Sequence, residues 1–284
     1  MLALALLLTA AEPPQKADLM VVVAHPDDES TFGGLIPYYA KCRGKSVVFV
    51  CLTSGEWGHG LPHHTSADQT PDYSYDDSEQ PRFPKVPEDA LYPCYYRETE
   101  LANMLRESGV RRPAVLPRFA DRSGLQPWGK PDAAFELWGG REKVVGFLVD
   151  HMRRHRPEVV VTMAADGYNG NPQHMAAGTA AVLAAEAAGD ADEYPGELPP
   201  WAPKKVYRVL SKGETAEARH VHSWEFDCGG ETARAVAARA NAMHESQGMK
   251  AECPAESAFV LVLSQVGPDE VGRDDLFENV GGSE

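Results

Sequence analysis

The chain has 284 residues, 43% of them apolar and 24% charged, with a formal charge of −15 at neutral pH. Such a length and balance describe one large soluble domain or two small ones. The excess of acid excludes a phosphate-binding face of clustered Lys and Arg, so no nucleic-acid partner is expected. No apolar run reaches the ~20 residues that cross a bilayer, so no transmembrane segment is expected either.

Leu2–Leu8 followed by Thr9-Ala10-Ala11 has the pattern of a short secretory leader, although no Lys or Arg precedes Lys16. Export to the periplasm or medium is expected, with a cytoplasmic location as the alternative. Residues 1–17 are then leader, and one domain covers 18–284.

Leu19–Ala24 reads as a buried strand and Gly33–Lys41 as the helix after it. Ser46–Thr53 is a second strand, ending in the polar cluster Thr53-Ser54-Gly55-Glu56. Residues 57–93 are rich in Pro, His, Asp, Ser and Tyr without any period, which predicts an insertion loop bordering a site. His59, His63 and His64 within it have no acid or Cys at ligand spacing and are read as a solvated loop. Tyr95–Ser108 is helical, Ala114–Phe119 a short strand leading to Asp121, and Phe135–His155 a long helix. Pro157–Thr162 is a strand opened by proline, Ala165–Gln173 a loop, and His174–Ala188 an Ala-rich helix. Lys205–Leu210 and Ala258–Leu263 are late strands, with a helix over Glu231–Ser246 between them. This alternation predicts an α/β fold, one domain with a mostly parallel sheet and its site at the carboxyl ends of the strands.

The five cysteines show no CxxC and no paired spacing; Cys42 and Cys51 lie in apolar contexts, where a thiol acts as a small hydrophobe. Chemistry is expected instead at Ala24-His25-Pro26-Asp27-Asp28-Glu29, where an apolar strand delivers several ionisable groups to one point. His25 and Asp28 suit Zn²⁺, and His174, at a helix start beyond Gly167–Pro172, is the candidate third ligand. The same ligands also suit Fe²⁺, Co²⁺ or Mn²⁺. Asp27, beside a ligand, is placed to act as general base. A plain strand-to-helix turn capped by Asp is the competing interpretation. The uninterrupted apolar strand and the second polar strand end at Thr53–Glu56 favour the site.

The run from Ala24 to Glu29, then Gly33-Gly34, Thr53-Ser54-Gly55-Glu56-Trp57-Gly58, Arg97-Glu98-Thr99-Glu100, Asp121 and His174 resembles the zinc-dependent de-N-acetylases of the PIG-L/LmbE-like family. His244-Glu245-Ser246-Gln247 and Glu256-Ser257-Ala258-Phe259 extend the likeness, which runs from about Asp18 to Val266. The resemblance implies a Rossmann-like domain that removes acetyl groups from N-acetylglucosamine-type sugars, a small-molecule or oligosaccharide substrate. It gives His25, Asp28 and His174 the zinc-ligand roles and Asp27 the base. It places Arg97 and Asp121 on substrate hydroxyls or an attached group, and His244 facing the site. From the residues alone, Arg97 reads equally as an exposed helix residue paired with Glu100, Asp121 as a turn residue, and His244 as packed at a helix end.

One departure stands out: Asn171-Pro172-Gln173-His174 replaces a common His-Pro-Asp-His run. Asn171 can donate a neutral hydrogen bond to an oxyanion but cannot supply a proton. Tyr168, His220, His222 or an insertion residue are the possible substitutes. Two further functions stay open: cleavage of a larger amide in a thiol–sugar conjugate, and metal-containing glycan binding with weakened catalysis.

Overall fold

Five consecutive apolar residues, Leu19–Val23, form strand β1 and are each 0% exposed. A strand buried on both faces needs neighbours on both edges and helices above and below. The computed structural model, which describes residues 16–58, 92–122, 126–211, 213–214, 219–269 and 275–281, supplies them. Strands β1 and β2 (Val47–Cys51) are followed by β3 (Val159–Thr162), β4 (Lys205–Val209), β5 (Arg219–Ser223) and β6 (Glu256–Ser264). They form one six-stranded sheet in the order β2-β1-β3-β4-β6-β5, parallel from β2 to β4 and antiparallel across β4, β6 and β5.

The helices are α1 (Leu35–Pro37), α2 (Tyr92–Glu107), α3 (Pro131–Leu137), α4 (Arg141–His155), α5 (Gly167–Gly170), α6 (Pro172–Ala187) and α7 (Ala233–Asn241). Helix α6 starts with Pro172 behind the cap Asn171 and lays Ala176, Ala177, Ala180, Ala181 and Ala184 on the sheet. Such small residues bring helix and strand ends close: a Cβ at Gly178 would stand 3.0 Å from the Met163 carbonyl. Helices α3, α4 and α6 pack together, while α7 packs with α1 and α2. From β1 the chain steps to β2 on one side and later returns to β3 on the other. Between those two strand ends lies the crevice where ligands of open α/β sheets bind.

Several elements differ from their sequence forecast. Phe135–His155 is broken at Gly139 and Gly140, whose φ of 90° and 106° no helix accepts, giving α3 and α4. Ala114–Phe119 makes only single bridges, Val115 to Val50 and Phe119 to Thr53. The helix expected over Gly33–Lys41 is one α-turn followed by a π-turn over Tyr38–Cys42. Gly33 (φ 60°) passes so close to Trp224 that a Cβ there would sit 2.5 Å from the indole nitrogen. Strand β5 was not anticipated. The expected leader up to residue 15, and residues 59–91 with His59, His63 and His64, lie outside the described residues. Among the described residues no helix is long and apolar enough to cross a membrane.

Cys42, expected to be a small hydrophobe, forms a disulfide with Cys228, 186 residues away. It ties the π-turn after α1 to the segment following β5, whereas Cys51 and Cys253 are buried free thiols. A cross-link closing so long a loop stabilises chiefly by restricting the unfolded chain, by about 2–4 kcal/mol. Urea unfolding of the oxidised protein, the reduced protein and Cys42→Ser should show both altered forms destabilised by that amount. Iodoacetamide should label Cys42 and Cys228 in the unfolded chain only after reduction.

Candidate active site

The turn leaving β1 is closed by its own acid: Asp28 Oδ2 accepts the backbone N–H groups of Ala24 (2.9 Å) and His25 (2.8 Å). That fixes Asp28 Oδ1 toward His174 Nε2, at 3.0 Å, and His25 Nδ1, at 3.6 Å. The two ring nitrogens are themselves 3.0 Å apart. Tetrahedral ligands about 2.0–2.1 Å from one ion stand roughly 3.3 Å from each other, so these edges fit a single divalent metal with a fourth position left for a reactant. His174 Nδ1 lies 2.9 Å from the Gly167 carbonyl. A carbonyl only accepts, so Nδ1 carries the proton and Nε2 offers its lone pair to the metal position.

His25 is held from behind. Its Nε2 is 2.8 Å from Gln173 Oε1 and 3.6 Å from Asp121 Oδ1. With Nδ1 turned to a metal, Nε2 bears the proton and donates to Gln173 Oε1, while Gln173 Nε2 donates to Gln126 Oε1 at 3.0 Å. Rotating the amide would instead aim its NH₂ at Nε2 and at Asp121 Oδ1. That arrangement suits only the tautomer whose Nδ1 cannot ligate, so ring tautomer and amide orientation are one choice. Burial disfavours the charged ring of His25, yet Asp121 and Asp28 outweigh it and hold the pKa well above the usual value. Burial alone would raise Asp28; His174 and His25 instead pull it well below the usual carboxylate range.

Asp27 has φ 119°, a conformation that costs a non-glycine residue about 1–3 kcal/mol. Two contacts impose it. Its N–H donates to Glu29 Oε2 (3.1 Å), and its Oδ1 pairs with Arg97 Nη2 (3.1 Å). Arg97 also donates to the carbonyls of Pro26 and Gly55. Side chains at Gly55 or Gly58 would strike its guanidinium, since their Cβ atoms would fall 2.3 and 2.1 Å from Nη1. Those glycines of the Thr53–Gly58 run therefore make room for an arginine. The Asp27 side chain stays 26% exposed, so a reactant reaches it. Burial raises its pKa, Arg97 works against that rise, and Asp28 adds to it.

Arg97 is therefore no exposed helix residue, being 3% exposed on the Asp27 turn. Its expected partner Glu100 accepts from the N–H and hydroxyl of Ser246, both at 2.6 Å. His244, expected to face the site, is 0% exposed and reaches it only through Glu29 Oε1, at 2.6 Å. Asp121, expected on substrate, is 1% exposed; its Oδ2 accepts the Trp57 N–H, and its backbone N–H donates to Glu56. Asn171 spends its Oδ1 capping α6, accepting from the N–H of Gln173 (2.8 Å) and of His174 (3.4 Å). Tyr168 is 41% exposed on the same loop, with φ 68°. His220 and His222 lie on β5, four strands from β1; His220 pairs with Asp269 and His222 stacks on Trp224. Neither can replace a histidine at 171. The supporting contacts of Glu29 and Gln126 were not foreseen, whereas Gln173, expected only to lack the orienting charge of an aspartate, lies within hydrogen-bond distance of His25.

Residues 20–185 match the family described as PIG-L, GlcNAc-PI de-N-acetylase. A 1D-myo-inositol 2-acetamido-2-deoxy-alpha-D-glucopyranoside deacetylase of Streptomyces avermitilis is 36% identical over 193 residues, 66% of this chain and 60% of that protein. The chain thus spans about 60% of that relative's length. An N,N'-diacetylchitobiose deacetylase from Pyrococcus horikoshii superimposes with a TM-score of 0.53 over 81% of this chain and 70% of that one, at 17% identity. A 4-carboxy-2-hydroxymuconate hydratase from Pseudomonas putida KT2440 does so with a TM-score of 0.56 over 90% of this chain and 100% of that one, also at 17% identity.

Removing the acceptor behind His25 should loosen the metal without unfolding the protein. Gln173→Leu is expected to weaken Zn²⁺ binding about 10–100-fold, read by competition with a chromogenic chelator. Asp28→Asn, which alters a ligand, should weaken it further. Wild-type affinity in Gln173→Leu would refute the role given to the amide.

Proposed function

Because this chain belongs to the PIG-L family of de-N-acetylases, we propose that it is a metal-dependent hydrolase that removes the N-acetyl group from an N-acetylglucosamine-type sugar or glycoconjugate. The observation that carries this function is the His25–Asp28–His174 cluster, with Asp27 beside it at the mouth of the crevice. Zn²⁺, or a similar divalent ion, held by those three residues would supply the Lewis acidity that polarises an amide carbonyl and acidifies water.

The chain's own groups account for the protons. Attack of water on the acetamido carbon forms a C–O bond and releases a proton, which Asp27 accepts on Oδ2 while Oδ1 stays on Arg97. The C–N bond then breaks as the same proton passes to the sugar nitrogen, leaving acetic acid and the free amine, and the carboxylic proton then passes to that amine to give acetate and the ammonium form. A carboxyl whose pKa burial raises, with a guanidinium working against that rise, suits both halves of that transfer. Asn171, its oxygen turned to α6, has Nδ2 as the neutral donor it can offer the oxyanion. Tyr168, exposed at the rim, is positioned to touch the sugar.

The relatives' substrates, an inositol-linked 2-acetamido glucose and N,N'-diacetylchitobiose, support an acetamido sugar joined to a second ring. The Cys42–Cys228 disulfide supports an oxidising compartment and hence export.

Acetate release from N-acetylglucosamine, N,N'-diacetylchitobiose and an inositol-linked N-acetylglucosamine tests the activity. Turnover should vanish on chelation and return with Zn²⁺. Asp27→Asn should lower kcat about 10²–10⁴-fold with little change in metal affinity. Undiminished acetate release by Asp27→Asn would remove Asp27 from the mechanism.

A further inference from the structure

Trp128 is 56% exposed, the most exposed large apolar side chain among the described residues. Tryptophan left in water is costly unless something covers it. The core beside it is already served by Trp138, which is 2% exposed with its indole N–H on the Ala120 carbonyl. Trp128 is also firmly placed. The Gly129 N–H donates to the Gly170 carbonyl at 2.7 Å. The Trp128 ring lies over Gly170, 3.5 Å from where a Cβ would stand. On the other side, Gln126 donates to the Ala133 carbonyl (2.7 Å) and accepts from Gln173 (3.0 Å).

Both anchors lead straight to the site. Gly170 precedes Asn171, the cap of the helix that carries His174, and Gln173 is the residue behind His25. Tyr168, the other exposed aromatic of this rim, lies two residues before Gly170. A flat, water-exposed indole is therefore held against the loop that leads into the cap of α6.

We propose that Trp128 is the stacking platform for the second ring of the substrate, the sugar or cyclitol attached to the acetamido ring that reacts. This rests on the deacetylase function proposed above and deepens it. One face of such a ring presents C–H groups, which suit the electron-rich face of an indole, while its hydroxyls remain hydrated. An aromatic platform rewards a second ring of almost any hydroxyl pattern. It therefore selects two-ring substrates over single sugars rather than one linkage.

Calorimetric titration of the Zn²⁺-loaded protein with N-acetylglucosamine and with N,N'-diacetylchitobiose tests the platform, alongside acetate release from each. The wild type should bind the disaccharide about 10-fold more tightly than the monosaccharide. In Trp128→Ala that ratio should fall close to one, and Trp128→Phe should restore most of it. A wild type that binds neither sugar, or does not prefer two rings, overturns the platform; so does a ratio unchanged in Trp128→Ala. Collapse of the ratio without acetate release from any form would support the platform and overturn the deacetylase function instead.

Discussion

Four ionisable groups, His25, Asp27, Asp28 and Glu29, leave the end of a strand with no exposed surface, and each needs a counter-charge. Charge buried without a partner is among the costliest features a fold can carry. The rest of the site follows from meeting that need. Asp28 is met by His174 and His25, Asp27 by Arg97, and Glu29 by His244. Those partners come from α6, from α2 and from the turn beyond α7, so one turn gathers most of the chain around itself. The supports of the supports are explained in the same way. Gly55 and Gly58 admit the Arg97 guanidinium, and Glu100 pins Ser246, two residues from His244.

The same accounting explains the strained backbone of Asp27. Its φ of 119° would relax if either contact were lost, because Glu29 holds its N–H and Arg97 its carboxylate. Both holders are fixed by groups that never reach the crevice. Strain at a functional residue persists only where the surroundings over-determine it. Arg97 and His244 contact Asp27 and Glu29 of the turn, at positions where the family likeness implies contacts with substrate. The Arg97 guanidinium serves Asp27, Pro26 and Gly55 through its two terminal nitrogens.

What was legible in the sequence is what is written locally. Strands β1, β2 and β3 are largely apolar runs; the candidate ligands His25 and Asp28 follow β1, and His174 stands at the start of α6, beyond β3. The parallel order of the sheet then brings the ends together. What was not legible depends on partners remote in sequence. Glu100, one turn beyond Arg97, suggested a helix-surface pair; an ion pair with Asp27 overrides that local preference. Cys42 and Cys228 carry no spacing signal across 186 residues. Strand β5, Arg-His-Val-His-Ser, is a short edge strand with too few apolar residues to announce itself. The break at Gly139-Gly140 was written in the sequence, but the apolar stripe on either side hid it.

Asn171 carries the most consequence for chemistry. A histidine at this position could both stabilise an oxyanion and give up a proton; an asparagine can donate a neutral hydrogen bond but cannot supply the proton. Here its oxygen is drawn into capping α6, which helps fix the helix that bears His174. The candidate ligand His174 is therefore steadied by a residue that itself cannot exchange a proton. His220 and His222 are committed elsewhere in the sheet, and the proposed mechanism gives the proton on the departing nitrogen to Asp27. A fold shared with a hydratase does not dictate that outcome. The partners of one aspartate bear on it: Arg97 fixes one oxygen of Asp27, and the proposed mechanism uses the other to receive the proton from water and return it to the amine.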